Sequence, residues 1–196
     1  MPLLNKNESE LKIGELQYQI AVYEDETAYK TLFFQLFPSL QNFAFSITRS
    51  RVLSEEIASD LLLDVWTRRK NLMEIENLKL YLFVGAKHAA IKKLKQENKR
   101  SRFSLEDLQV EFISEYANPD VSAELHELQA NIARAVKDLP PSCQLIYKLA
   151  KEDRLKYKEI AQILDLSVKT IDHQLSIALK KIATALRITN TKKNPL

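Results

Sequence analysis

Lys169, His173, Ser176 and Lys180 recur at steps of three and four residues, with Thr170 beside them, so on a helix they share one face. Cations and hydroxyl or imidazole donors aligned in this way suit hydrogen bonding to base edges and attraction to phosphate, which is the chemistry of DNA recognition. Lys181 adds a cation next to Lys180, and Ser167 stands where an N-cap would open the helix. Val168, Ile171, Leu175, Ala178 and Ile182 form the apolar side of the same helix. Upstream, Ile160, Ala161 and Leu164 give a shorter helix its inner side, with Ala161 small where two helices must cross. Asp165 lies between them, where the chain must turn through a left-handed conformation. The segment 156–186 therefore predicts a helix-turn-helix, with Lys169, His173, Ser176 and Lys180 pointing outward and Thr170 and Ile177 on their flanks.

A second basic stripe lies upstream. Leu82, Ala86, Ala90 and Leu94 repeat every four residues and predict a long helix over about 77–99. His88, Lys92, Lys95 and Lys99 gather on the roughly opposite side and run on into Arg100 and Arg102. A solvated lysine face is the plain reading, and a surface that tracks phosphates is the functional one.

The net charge of +3 conceals this arrangement. Residues 1–86 hold 9 basic and 12 acidic side chains, 87–102 hold 7 and 1, 103–124 hold 0 and 6, and 125–196 hold 13 and 7. Two basic modules are thus separated by an acidic connector. Gly occurs only twice in 196 residues, which argues against glycine-rich phosphate loops and tight β-turns and for an all-α chain. Cys143 is alone, so no intramolecular disulfide can form, and it reads as helix packing. His88, His126 and His173 are dispersed without ligand spacing, so neither a metal nor a cofactor is expected. There is no phosphate-loop, paired-histidine or nucleophile-elbow motif, and an enzyme is not expected. The N-terminus lacks the apolar core of a signal peptide and no run reaches the ~18 apolar residues of a membrane span, so a cytoplasmic protein without membrane insertion is expected.

The elements that must position these residues are nearly all helical. Ile13, Leu16, Gln17 and Ile20 mark a short N-terminal helix; Tyr29, Leu32, Phe33, Leu36 and Phe37 mark another that runs into Pro38. Leu40, Phe43, Ala44 and Ile47 continue the pattern beyond the proline. Ser54, with Glu55 and Glu56, is expected to open a helix that carries Ile57, Leu61, Val65 and Trp66 and ends in Arg68, Arg69 and Lys70. Residues 101–123 lose the helical period and read as a linker. Leu125, Leu128, Ile132 and Val136 resume it until Pro140, and Ser142 is expected to cap the helix of Leu145, Ile146 and Leu149.

The stretch LPPSCQLIYKLAKEDRLKYKEIAQILDLSVKTIDHQLSIALKKI resembles region 4 of small bacterial RNA polymerase sigma factors. LFFQLFPSLQNFAFSITRSRVLSEEIASDLLLDVWTRRKNL followed by NLKLYLFVGAKHAAIKKLKQ resembles their region 2. The two matches span about 25–187 in order, with the linker between, and point to the extracytoplasmic-function type of the sigma-70 family. The resemblance implies an all-α protein of two small domains, a region 2 helical bundle (25–100) and a region 4 helix-turn-helix (124–190). A flexible linker (101–123) joins them, an N-terminal extension with a short helix (1–24) precedes them and a short tail (191–196) follows.

The function implied is promoter-specific transcription initiation without catalysis. Asp60, Asp64, Trp66, Arg68 and Arg69 would lie at or near the clamp helices of the polymerase largest subunit, with Trp66 more simply a core anchor. The polymerase flap would be a further contact. His88, Lys92, Lys95, Lys99 and Arg100 would meet the melted element near minus ten, and the loop near 73–77 would hold a flipped base. Ser167, Lys169, Thr170, His173 and Ser176 would read the minus-thirty-five duplex while Lys180 and Lys181 grip phosphate. An anti-sigma factor would be a further partner, and the acidic linker would suit the polymerase's positively lined channels. Three positions depart from the family's common pattern: His88 stands where Asn is frequent, Ser59 where Gln is, and Ile177 where Arg is. The rival reading is a stand-alone helix-turn-helix regulator, which would bind duplex DNA without polymerase.

Overall fold

The computed structural model describes the backbone of residues 6–96 and 123–193. Helix α1 spans Lys6–Tyr23, α2 Glu26–Thr48, α3 Arg51–Thr67 and α4 Leu78–Gln96, with a 3₁₀ turn over Arg69–Glu74 between the last two. Then come α5 Ala123–Lys137, α6 Pro141–Lys151, α7 Tyr157–Leu164 and α8 Val168–Lys193. No strand occurs among the described residues. The chain divides into two compact units, Met1–Ser104 and Leu105–Leu196. Residues 101–122 of the expected linker, together with Lys99 and Arg100, lie outside the described residues.

In the first unit α2 is the central element, packed against α1, α3 and α4. Asp25 opens it: the carboxylate accepts from the Thr27 and Ala28 N–H groups at 2.7 and 3.1 Å, which satisfies donors that the first turn leaves without partners. The helix runs on through Pro38, where the sequence pattern continues at Leu40, Phe43, Ala44 and Ile47. Leu32, Leu36, Leu40, Phe43, Ala44 and Ile47 form one buried stripe that passes through the proline in register. Burial of the apolar side chains beyond it, at about 1.5–3 kcal/mol for each large one, offsets the one backbone hydrogen bond that proline removes. The helix ends where Arg49 takes a left-handed conformation (φ 56°) and donates its N–H to the Phe45 carbonyl.

Helix α3 begins earlier than expected. Ser50, immediately after the left-handed Arg49, is the N-cap and accepts from the Leu53 N–H at 3.3 Å. Ser54 is instead buried inside the helix and donates to the Arg51 carbonyl at 2.9 Å. Glu55 and Glu56 therefore fall beyond the first turn, which holds no acid. In α4 the expected stripe Leu82, Ala86, Ala90 and Leu94 is buried, and Phe83 meets the Phe43 ring at 5.3 Å between centroids.

Helix α1 is longer than the short helix the spacing suggests. It buries Ile13, Leu16 and Ile20 and packs on α2 and the 3₁₀ turn. Gly14 lies inside it, exposed, and a Cβ there would meet nothing within 4 Å. Gly14→Ala is therefore expected to stabilise the chain by about 0.5–1 kcal/mol, because alanine loses less backbone entropy in a helix. Urea unfolding would show a higher midpoint at unchanged slope.

In the second unit, α6 begins at Pro141, with Pro140 at the cap position and no side-chain cap, so Ser142 is not the cap that the sequence suggests. A proline in the first turn gives up only a donor that would be unpaired there. Ala135, Val136, Leu139, Cys143, Ala178 and Ile182 form a core between α5, α6 and α8, whereas Leu128, expected to face inward, is 43% exposed. Cys143 is buried, its Sγ lies 2.8 Å from Gln174 Oε1, and burial raises the thiol pKa.

Candidate nucleic-acid interfaces

The turn between α7 and α8 is built from local chemistry. Glu159 accepts from the Lys156 N–H at 2.7 Å ahead of α7. Asp165 is left-handed (φ 55°, ψ 44°) with its N–H directed to the Ala161 carbonyl. Ser167 Oγ then accepts from the Thr170 N–H at 3.0 Å and caps α8, and the two hydroxyls lie 2.7 Å apart. From α7, Ile160, Ala161, Ile163 and Leu164 are buried, and from α8, Ile171, Leu175, Ala178 and Ile182.

Lys169, His173, Ser176, Lys180 and Lys181 are all exposed on α8. Ser167 and Thr170 sit at the same end with their hydroxyls engaged in the cap. Val168, expected to be buried, is 42% exposed, because as the first helical residue it has no preceding turn to cover it. Ile177, beside this face, is half-buried and packs against the core of α5, α6 and α8. Sequence reasoning passed over Lys158, exposed in the first turn of α7, although the run Lys156-Tyr157-Lys158 before the motif could have drawn notice.

In the first unit, His88, Lys92 and Lys95 are exposed on α4, where with Ile91 and Gln96 they line an open hollow of about 470 Å³. Two other lysines of this basic stretch are turned elsewhere: Lys87 is buried and Lys93 pairs with Glu56 at 2.7 Å.

Asp60, Asp64 and Arg68 are exposed on and just after α3, with Arg68 3.6 Å from Asp64 in an ion pair too solvated to add much stability. Trp66 and Arg69 face the protein instead. The indole lies 5.1 Å from the Tyr29 ring and the Arg69 guanidinium lies 4.7 Å over it. Arg69 also donates to the Trp66 carbonyl at 3.1 Å and to the Glu24 carboxylate at 2.7 Å, which holds that carboxyl below its ordinary pKa. Leu63, 57% exposed between Asp60 and Asp64, was missed, although it breaks the buried register Ile57, Ala58, Leu62, Val65. Beside the 3₁₀ turn, Asp64, Arg68, Asn71, Glu74, Ile75 and Tyr81 border a hollow of about 220 Å³.

Residues 129–182, which hold α7, the turn and α8 as far as Ile182, match the family model "Sigma-70, region 4". The second unit thus contains a segment of the sigma-70 region 4 type. The exposed Lys169, His173, Ser176, Lys180 and Lys181 of α8 all lie within the matched segment. Among solved structures, the sigma factor RpoE in complex with the anti-sigma factor NepR from Bartonella quintana superposes with a TM-score of 0.50. At 19% identity, the match covers 82% of this chain and 97% of that one. Its likeness is one of fold, and it extends beyond region 4 into the first unit. CnrH in complex with the cytosolic domain of CnrY gives a TM-score of 0.46 at 15% identity, covering 91% of this chain and 97% of that one. No curated protein matches the chain significantly in sequence.

Proposed function

We propose that the chain is a sigma factor of the extracytoplasmic-function type, which binds core RNA polymerase and directs promoter-specific initiation without catalysis of its own. The observation that carries this reading is a region 4 domain whose recognition helix exposes Lys169, His173 and Ser176. In this reading region 4 enters the major groove of the minus-thirty-five duplex, with Lys169, His173 and Ser176 at base edges. Ser167 and Thr170 shape and cap the end of the helix that leads, and Lys180 and Lys181 hold phosphate.

The first unit serves as region 2. His88, Lys92 and Lys95 line the path of the melted minus-ten strand, Lys99 and Arg100 are further contacts to it, and the segment 73–77 holds a flipped base at the hollow beside it. Asp60, Asp64 and Arg68, with Leu63 among them, form the polymerase-contacting face, while Trp66 and Arg69 support it from behind. The polymerase contacts are the largest-subunit clamp helices for this unit and the flap for region 4. An anti-sigma factor is a further partner, as NepR is for RpoE. The site of action is the cytoplasm, and no described helix is long and apolar enough to cross a membrane.

Run-off transcription with purified bacterial core polymerase and a library of promoters tests this. The expected result is co-purification with core enzyme and initiation on a subset of promoters that share two elements. Tight duplex binding without polymerase, together with no initiation on any template, would instead establish a stand-alone regulator.

A further inference from the structure

We infer that Gln17, on α1, is a positioning residue that fixes the shape of the hollow beside the 3₁₀ turn and thereby the base preference of the strand entering it. This rests on the reading of 73–77 as the base-holding segment. Gln17 interrupts the apolar series Ile13, Leu16 and Ile20 and is itself buried, 7% exposed. Its Nε2 donates to the Leu72 carbonyl at 2.6 Å and to the Ile75 carbonyl at 2.7 Å, partners 55 and 58 residues away. A residue needed only to fill this space would be apolar, like its neighbours on α1. What the amide adds is a donor for each of two inward-facing carbonyls of one turn.

The turn's own backbone contributes Ile75 N–H to the Leu72 carbonyl at 3.1 Å, so Gln17 closes the same four residues from outside. A second brace from the same helix end acts at the turn's beginning. Glu24, left-handed at φ 51° just after α1, accepts from Arg69 at 2.7 Å, and Arg69 is seated on Trp66. The segment 69–75 is therefore held near both ends by side chains from α1 and the residue that follows it. Asn71, Glu74 and Ile75 of this segment form one wall of the hollow, facing Asp64 and Arg68 from the α3 end and Tyr81 from α4. A shift of the turn by a fraction of an ångström would alter hydrogen-bond distances to a base seated there, and hence the discrimination among bases.

The test uses the full chain reconstituted with bacterial core RNA polymerase and promoters randomised upstream of the start site. Gln17→Leu keeps the volume and removes both donors. It is expected to reduce base preference at the flipped position at least fivefold, with affinity for core polymerase within twofold of the unsubstituted protein. Gln17→Glu, which sets an acceptor against two carbonyls, should reduce it as much. Glu24→Gln, at an exposed site, weakens only the second brace and should reduce it about twofold. Should Gln17→Leu fail to fold, Gln17→Glu and Glu24→Gln decide. Unchanged preference in folded variants overturns the role of Gln17 and leaves the loop reading standing. If the unsubstituted protein shows no base preference in the melted element, the loop reading falls, and the role of Gln17 falls with it.

Discussion

Lys169→Ala combined with His173→Ala is expected to abolish discrimination at the upstream duplex element while the chain still binds core polymerase. Both side chains are exposed and the buried face of α8 runs through Ile171, Leu175 and Ala178, so the substitutions leave the packing of region 4 intact. Surface changes of this kind usually alter stability by less than about 0.5 kcal/mol. A side chain that reads a base edge contributes about 1–3 kcal/mol of discrimination, so two of them together correspond to a loss of roughly 30-fold or more between matched and mismatched promoters. Run-off transcription across templates altered only at minus thirty-five measures this directly. Lys180→Ala gives the necessary contrast. A phosphate contact has no sequence content, so its removal should weaken all promoters alike and lower the salt slope by about one. Loss of polymerase binding in the double variant, to the same degree as loss of discrimination, would overturn the division of labour between the two units.

The helix-turn-helix was legible in the sequence because each of its determinants is local. The left-handed Asp165 and the Ser167 cap lie within a few residues of what they act on, and the buried Ile171, Leu175, Ala178 series follows the helical period. What periodicity alone did not reveal are partners far off in the chain. The run Arg68-Arg69-Lys70 reads as a set of exposed cations at a helix end, yet Arg69 turns to Glu24, 45 residues away, and to the face of Trp66. Lys93 belongs by sequence to the basic stretch of α4, yet Glu56 from α3 neutralises it. Gln17 appears in the sequence as one more member of a helical repeat, and only the fold brings the Leu72 and Ile75 carbonyls to it. Caps failed in a different way: Ser54 and Ser142 are of the right type, but Ser50 lies closer to the left-handed Arg49 where the chain reverses, and Pro141 already suits a first turn.

Pro38 is the sharpest of these cases, and replacing it with Ala is expected to stabilise the first unit. Inside α2 the ring lacks the N–H that would bond to the Phe34 carbonyl four residues earlier, and a helix-interior proline costs about 3 kcal/mol relative to alanine in host helices. Two terms oppose the gain. Proline stiffens the unfolded chain by about 0.4–1 kcal/mol, and its half-buried ring loses apolar contact worth about 1 kcal/mol when trimmed to a methyl group. The net expectation is about 1–2 kcal/mol, or roughly 4–15 °C in the melting temperature of a unit this size. Calorimetry on the full chain should show the transition of the first unit moving up while that of region 4 stays in place. The sign is the informative part. Leu36 and Leu40 are both buried on either side of the proline, so the helix is held through it by the core, and the proline itself is a local cost. A fall in the transition temperature would mean that the ring's packing against the first unit outweighs the missing hydrogen bond. The position would then be a core contact in its own right, and α2 would owe its continuity to the proline ring as well as to the leucines around it.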